Sequence, residues 1–331
     1  MYYMLGTRDQ IAEYIKKNGK ARVEDIRKEF NLGTSIIHRH LIKLLRDGLI
    51  IKSGKPPLVF YVYTTKIKQL DDSFIPSEDK DFLSKNYLYV SPSGDFKYGI
   101  EGFQNWIGKT KQERYLIPLI NEYKKYRNNA TKLKNNDGLL DGFNKLKTTF
   151  DKVYLDKTFF SDFYALPKFG KTILGQKLLY AKQAQSEKLI DDVSQQVSDD
   201  INKIINKYKI DAVAFIPPTV PRKVQFIKEF EKKLNLSLPK ILLKKAYSGD
   251  VLIAQKTLSK LEERIENAQR TIFIKDQSII YQRVLIIDDA VGSGSTLNEI
   301  AAKIKDMSPK IKVFGYAIVG SYKGFDVISE V

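Results

Sequence analysis

The sequence predicts an α/β chain. An open parallel sheet fills its C-terminal part, a small module of helices and a hairpin opens it, and a mixed α+β stretch joins the two. Three observations point there. Val284–Ile287 is an apolar run that closes on Asp288-Asp289 and a glycine–serine turn. Asp211–Ile216 is a second such run, ending in prolines. Buried parallel strands read as continuous apolar runs of this kind. Before residue 67, helical periodicity gives way to two β-rich runs, the order of a compact helical module with a hairpin.

Composition narrows the function. A chain of 331 residues has room for about two domains, with a third if one is small. Cysteine is absent, which excludes disulfides, Cys-ligated zinc and thiol nucleophiles. The two histidines, His38 and His40, share one short segment, so a multi-His metal site or a Ser-His-Asp triad elsewhere has no material. The longest apolar run, Leu58–Tyr63, is far short of a membrane span, and the opening MYYMLGTRDQ has no signal-peptide pattern. The expectation is a soluble cytoplasmic protein with no membrane partner. The net charge of +17 suits a polyanion such as nucleic acid, and it equally suits a chain rich in Lys, Ile and Asn throughout. Where the charge sits has to decide.

Residues 1–66 hold thirteen Lys/Arg against six Asp/Glu. Thr7 reads as an N-cap with Gln10 as its capping-box partner, and Ile11, Tyr14 and Ile15 form a helical stripe that Asn18-Gly19 ends. A second helix is expected over Val23–Phe30 and a turn at Asn31–Gly33. Thr34 or Ser35 then caps a third helix with Ile37, Leu41, Leu44 and Leu45 inward. Two β-rich runs flank Ser53–Pro57, which reads as the hairpin turn. This order resembles a winged helix-turn-helix. The resemblance implies that the third helix enters a DNA major groove, presenting Ser35, His38, Arg39, Ile42, Lys43 and Arg46, while Lys52 and Lys55 on the wing neutralise phosphates. Winged helices also serve as protein–protein modules, so both readings stand.

Residues 67–157 read as a linking region. It begins with the polar stretch DDSFIPSEDKD, continues with a hairpin around Ser91–Asp95, and adds helices near Gly102–Trp106 and Arg114–Tyr126. Its dense aromatics, Tyr87, Tyr89, Phe96, Tyr98, Phe103 and Trp106, suit a core better than base stacking. GKT occurs at Gly108–Thr110 and Gly170–Thr172, but Phe103 and Ala165 stand where a P-loop needs its first glycine.

The region 158–331 carries the chemistry. After the Val284–Ile287 strand come two carboxylates, then Ala290-Val291-Gly292-Ser293-Gly294-Ser295-Thr296, then an amphipathic helix expected from Leu297. Small residues let backbone N–H groups wrap a phosphate, a helix start favours negative charge, and the hydroxyls add donors. Adjacent carboxylates can accept from neighbouring ribose hydroxyls or orient a hydrated Mg²⁺. The series describes a cradle for a phosphorylated ribose.

It resembles the phosphoribosyl pyrophosphate (PRPP) motif of type I phosphoribosyltransferases, with Ala290 and Gly292 as departures. The resemblance implies that Asp288 and Asp289 hold the ribose hydroxyls, that Gly292, Ser293, Gly294, Ser295 and Thr296 bind the 5-phosphate, and that Mg²⁺ arrives with PRPP without direct protein ligands. Thr219, Arg222 and Lys223, after the Asp211–Ile216 strand, then bind pyrophosphate. Lys244, Lys245 and Arg264 are candidate loop cations, although Arg264 beside Glu262 and Glu263 reads as a solvated position. Lys323, Phe325 and Asp326 are candidates for a base pocket. Within the superfamily, Gln255, Leu258-Ser259, Glu263-Arg264 and Asn267, together with Tyr164–Gln183, resemble the competence protein F (ComF-type) family. That family's usual N-terminal Cys₄ zinc module is replaced here by the helical module.

Three functions follow from the two ends together. One is a DNA-binding regulator that responds to PRPP or a nucleotide. The second is a working phosphoribosyltransferase that releases pyrophosphate. The third is a ComF-like DNA-handling accessory protein. A homodimer suits the first two, because winged-helix proteins often bind paired half-sites.

Overall fold

The computed structural model describes residues 6–46, 49–55, 58–63, 75–110, 112, 115–218, 220, 222–246, 258, 260–275 and 279–322. The chain divides into two compact units, Met1–Arg127 and Asn128–Val331. The division falls inside the stretch read as a linking region.

The first unit begins with α1 (Thr7–Lys17), β1 (Lys20–Ala21), α2 (Val23–Phe30), α3 (Thr34–Arg46), β2 (Ile50–Lys55) and β3 (Leu58–Tyr63). Helical spacing puts Ile11, Ile15, Ile26, Ile37, Leu41 and Leu44 in one buried cluster with Ile50 and Tyr61. Each such side chain contributes roughly 1.5–3 kcal/mol by leaving water. Two caps differ from expectation. Gly6, not Thr7, precedes α1, and its carbonyl accepts from Asp9 and Gln10. Gly33 does the same for α3, accepting from Ile36 and Ile37, so Thr34 and Ser35 lie inside the helix. Glycine is an acceptable N-cap because the carbonyl makes the bond whatever the side chain. In α2 the Asp25 carboxylate accepts from the Arg22 N–H at 2.7 Å, a cap absent from the sequence reading.

The hairpin turn is also shorter than expected. Ser53, Gly54 and Lys55 are laddered to Phe60, Val59 and Leu58, and Pro56-Pro57 lies outside the described residues. β1 pairs with β3, giving a three-stranded antiparallel sheet in the order β1-β3-β2.

The same unit continues with α4 (Ser77–Asn86), β4 (Leu88–Val90), β5 (Phe96–Tyr98) and α5 (Gly99–Lys109), while α6 (Leu116–Lys132) spans the division. The polar stretch thus turns helical at Ser77, and its Asp79 is buried against Lys124 at 2.6 Å. Tyr87, Phe103 and Trp106 pack together with Tyr123, as core aromatics should.

The second unit comprises β6 (Leu140–Asp141), α7 (Phe143–Thr149), β7 (Lys157–Phe163), β8 (Ala165–Leu166), β9 (Gly170–Lys171), α8 (Ile173–Gln183), α9 (Glu187–Tyr208), β10 (Ala212–Phe215), α10 (Phe226–Leu234), β11 (Leu243–Lys245), α11 (Leu261–Thr271), β12 (Ile272–Ile274), β13 (Arg283–Val291), α12 (Ser295–Met307) and β14 (Lys312–Gly320). Among the described residues the main sheet has five strands in the order β10-β13-β14-β7-β6. The first four are mutually parallel, and β6 closes the edge antiparallel. Leu285, Ile287, Tyr316 and Ile318 share a core with residues of α8, α9 and α10. Leu297, Ile300 and Ile304 of α12 are buried outside that cluster, so helices cover both faces of the sheet. Tyr316 is fully buried, and its hydroxyl bonds Ser161, which donates to Asp200.

The turn from β7 to α8 depends on close backbone approach. Thr172 caps α8, accepting from the Gly175 N–H while donating to the Phe163 carbonyl. A Cβ on Gly175 would lie 2.1 Å from the Tyr164 carbonyl oxygen. Gly175→Ala should therefore destabilise the protein by about 2 kcal/mol, because backbone must shift to admit one methyl. A chemical denaturation midpoint equal to that of the parent protein would show that the turn yields freely.

No helix of the described residues is long and apolar enough to cross a membrane.

Candidate functional site

β13 runs further than its apolar core. Its ladder with β14 continues through Asp288↔Ala317 to Val291↔Gly320, so the acid pair lies within the strand and not beyond it. α12 likewise begins at Ser295, two residues before the expected Leu297. Gly294 makes this tight junction, with φ 78 in the left-handed region, and its carbonyl accepts from Asn298 to close the first helical turn. That conformation favours glycine. The Ser293 and Ser295 hydroxyls lie 3.0 Å apart, both buried. Asn298 anchors the helix, accepting from the Tyr154 N–H and donating to the Lys152 carbonyl.

A cavity of about 220 Å³ opens at this C-terminal edge of β10 and β13. Open α/β sheets bind ligands at that edge. Asp288, Asp289 and all of Gly292, Ser293, Gly294, Ser295 and Thr296 line it, as do Pro217, Pro218 and Arg222 from the segment after β10. Lys223, by contrast, is exposed and does not line the cavity, and Thr219 lies outside the described residues. So do Lys323, Phe325 and Asp326, and likewise Gln255 and Ser259.

Two cations alter the sequence reading. Lys182, near the end of α8, was not anticipated. Its Nζ lies 2.8 Å from Asp289 Oδ2, and the Arg222 guanidinium donates to its carbonyl oxygen. Arg264 is 5% exposed, not solvated, and its Nε donates to the Leu258 carbonyl at 2.8 Å. Sequence signals for both existed. Lys182 continues the 174–178 stripe at the next helical step, after buried Leu174 and Leu178, and Arg264 shares a face of α11 with buried Ala268. Lys245 also lines the cavity, whereas Lys244 is exposed and does not.

The electrostatics follow from this enclosure. Burial pushes the Asp288 carboxyl up to about 7, with the Asp289 charge adding to the effect. The Asp289 N–H, donating to Asp288 Oδ1 at 2.8 Å, opposes it, as do Lys182 and Lys245. Burial brings the Lys245 ammonium down to about 8, while Asp288 pulls it back up. Arg264 is lowered by the same loss of water. Cations and hydrogen-bond donors thus surround a pair of acceptors in one poorly hydrated pocket, where charge interactions are strong.

On the first unit, Ser35, His38, Arg39, Ile42 and Lys43 are all exposed on α3, and Lys52 is exposed on β2. Arg46 and Lys55 end their elements, and their side chains lie outside the described residues.

No family model matches this chain, and no curated protein does. Among solved structures, it is similar to a hypoxanthine phosphoribosyltransferase from Staphylococcus aureus. The identity is 15% and the TM-score 0.23, over 38% of this chain and 61% of that one. It is also similar to an adenine phosphoribosyltransferase from Leishmania tarentolae, with 12% identity and a TM-score of 0.24, over 46% of this chain and 88% of that one. The chain therefore spans less than two thirds of the first protein's length. At such identities the chemistry has to be read from the cavity itself.

Proposed function

We propose that this protein is a DNA-binding regulator whose C-terminal region, 158–331, binds PRPP or a nucleotide, with 1–66 as a winged-helix DNA-binding module and 67–157 linking them. One observation carries the ligand class. A single cavity joins an acid pair, a glycine–serine helix start, and Lys182, Arg222, Lys245 and Arg264. A ligand that satisfies all of them has vicinal hydroxyls for the carboxylates and phosphates for the cations and the helix start.

In this reading Gly292–Thr296 hold the 5-phosphate by backbone N–H groups and hydroxyls. Asp288 and Asp289 accept from the ribose hydroxyls, which requires Lys182 to share Asp289 or to swing towards a phosphate. Arg222 faces the pyrophosphate. Mg²⁺ fits this donor set only as an ion carried by the ligand: two carboxylates, one already paired with Lys182, suit contact through its water shell. When bound, the ion would neutralise pyrophosphate charge.

A second reading, transfer of phosphoribose to a nitrogenous base, is favoured by Lys245 and Arg264 lining the same cavity, since cations there would stabilise departing pyrophosphate.

The test uses the full chain with Mg²⁺·PRPP. Ligand at 100 times its Kd should add about 2.7 kcal/mol of stability, read as a raised Tm. PRPP should also change DNA affinity, and DNA should change PRPP affinity by the same factor. Base-dependent pyrophosphate release selects the transferase. No change in Tm at millimolar PRPP rejects the transferase, and no change at millimolar PRPP or at millimolar nucleoside mono-, di- or triphosphates rejects both readings.

A further inference from the structure

Ile42 is 63% exposed, on a helix whose other large aliphatics mostly face the core. It does not stand in an apolar patch. Ser35, His38 and Arg39 lie within about 60° of it around the helix at 3.6 residues per turn, and Lys43 follows it. α3 contains no Asp or Glu at all. Lys52 extends the same surface. It shares a strand face with Ile50, which is buried in the cluster that includes Ile37, Leu41 and Leu44, yet Lys52 itself emerges exposed. The surface is therefore cationic at its edges with one branched aliphatic at its centre. A membrane would need a broad apolar face, and the two exposed aliphatics of this helix, Ile36 and Ile42, lie about 120° apart around it. An acidic peptide would satisfy the cations and leave Ile42 in water.

One surface has the complementary pattern: the major groove of double-stranded DNA. Its phosphate walls are anionic, and its floor carries an apolar group wherever thymine presents its 5-methyl. Duplex RNA has the anionic phosphates but not the floor, because its major groove is too deep and narrow for side chains to read and uracil lacks the methyl. We propose that Ile42 is a specificity residue that reads a thymine methyl in the major groove. This rests on the DNA-binding reading of residues 1–66 and adds to it a base preference and a preference for DNA over duplex RNA.

The experiment begins by selecting duplexes from a random DNA library with the full-length protein. The best duplex is then resynthesised with deoxyuridine replacing each thymine in turn, which removes one methyl and changes no hydrogen bond. For the parent protein, one position should lose about threefold to fivefold in affinity, the worth of one buried carbon. Ile42→Ser should bind the thymine and deoxyuridine duplexes equally, and Ile42→Val should restore the difference. Because the position is exposed, both variants should keep the parent Tm. If the protein binds DNA but no deoxyuridine position weakens it, or if Ile42→Ser keeps the discrimination, the role of Ile42 is refuted while DNA binding stands. If no duplex is bound at low salt, the underlying reading and the role of Ile42 fail together.

Discussion

Replacing Asp288 and Asp289 together by Asn will reduce Mg²⁺·PRPP binding at least 100-fold in calorimetry, and it will not unfold the protein. Each hydrogen bond from a ligand hydroxyl to a carboxylate contributes roughly 1.5–3 kcal/mol, and Asn offers a weaker, neutral acceptor. Stability should move the other way. The Asp288 carboxyl is raised to about 7 in the folded protein, chiefly by burial, from an ordinary value near 3.8. The folded state therefore holds a proton that the unfolded state has released. Stability contributed by this group is fully present below pH 3.8, falls through the interval up to about 7, and stays low above it. Asp288→Asn removes that cost and still accepts from the Asp289 N–H. Its Tm should exceed the parent's at pH 8 by more than it does at pH 5. A double variant that binds PRPP normally would remove the acid pair from the ligand site. A Tm that falls equally at both pH values would mark Asp288 as a structural group.

What the sequence disclosed of this site follows a physical division. The β13 core, the acid pair and the loop were legible because a strand buried on both faces must be apolar, and any polar residue at its end stands out. The exact junctions were not. The strand runs through Asp288 to Val291 because its backbone stays paired with Ala317 to Gly320 of β14, and pairing with so distant a segment leaves no local mark. The cavity cations divide in the same way. Arg222 follows directly on the β10 segment and was found. Lys182 meets Asp289 across 107 residues of chain, and only its helical register pointed inward. Arg264 reads as solvated beside Glu262 and Glu263, whereas its own face of α11 continues into buried Ala268.

In the first unit the helices were legible from periodicity, and their caps were displaced by one residue at Gly6 and Gly33. Hydroxyl side chains draw attention as caps, whereas a glycine carbonyl performs the task without a signature. The short β1 was invisible: a two-residue strand has no period, and only its register with Tyr61 and Val62 defines it. Helix α4 was hidden by Ser77, Glu78, Asp79 and Lys80, polar residues typical of a linker and equally of a first helical turn.

The second large effect concerns Arg39 and Lys43. Neutralising both to Ala should weaken DNA binding roughly 100-fold near 0.1 M salt, since base or phosphate contacts by such side chains are worth about 1–3 kcal/mol each. The slope of log affinity against log salt should also flatten by about 1 for each residue that touches a phosphate. Net charge alone could mimic a part of this, because the whole chain carries +17. The control therefore neutralises Lys188 and Lys233, two exposed lysines of the second unit, for the same change in charge. A diffuse attraction would respond equally to both pairs. Direct contact through α3 requires the Arg39/Lys43 variant to lose at least tenfold more than the control, together with the flatter slope. Both substitutions lie on the exposed face of α3, and Ala is the better helix former. The fold should therefore remain intact, and a melt at the parent Tm would confirm that lost affinity is lost contact. If the two pairs of variants prove indistinguishable in affinity and slope, α3 is not the reading helix, and the basic character of residues 1–66 is no more than a soluble surface.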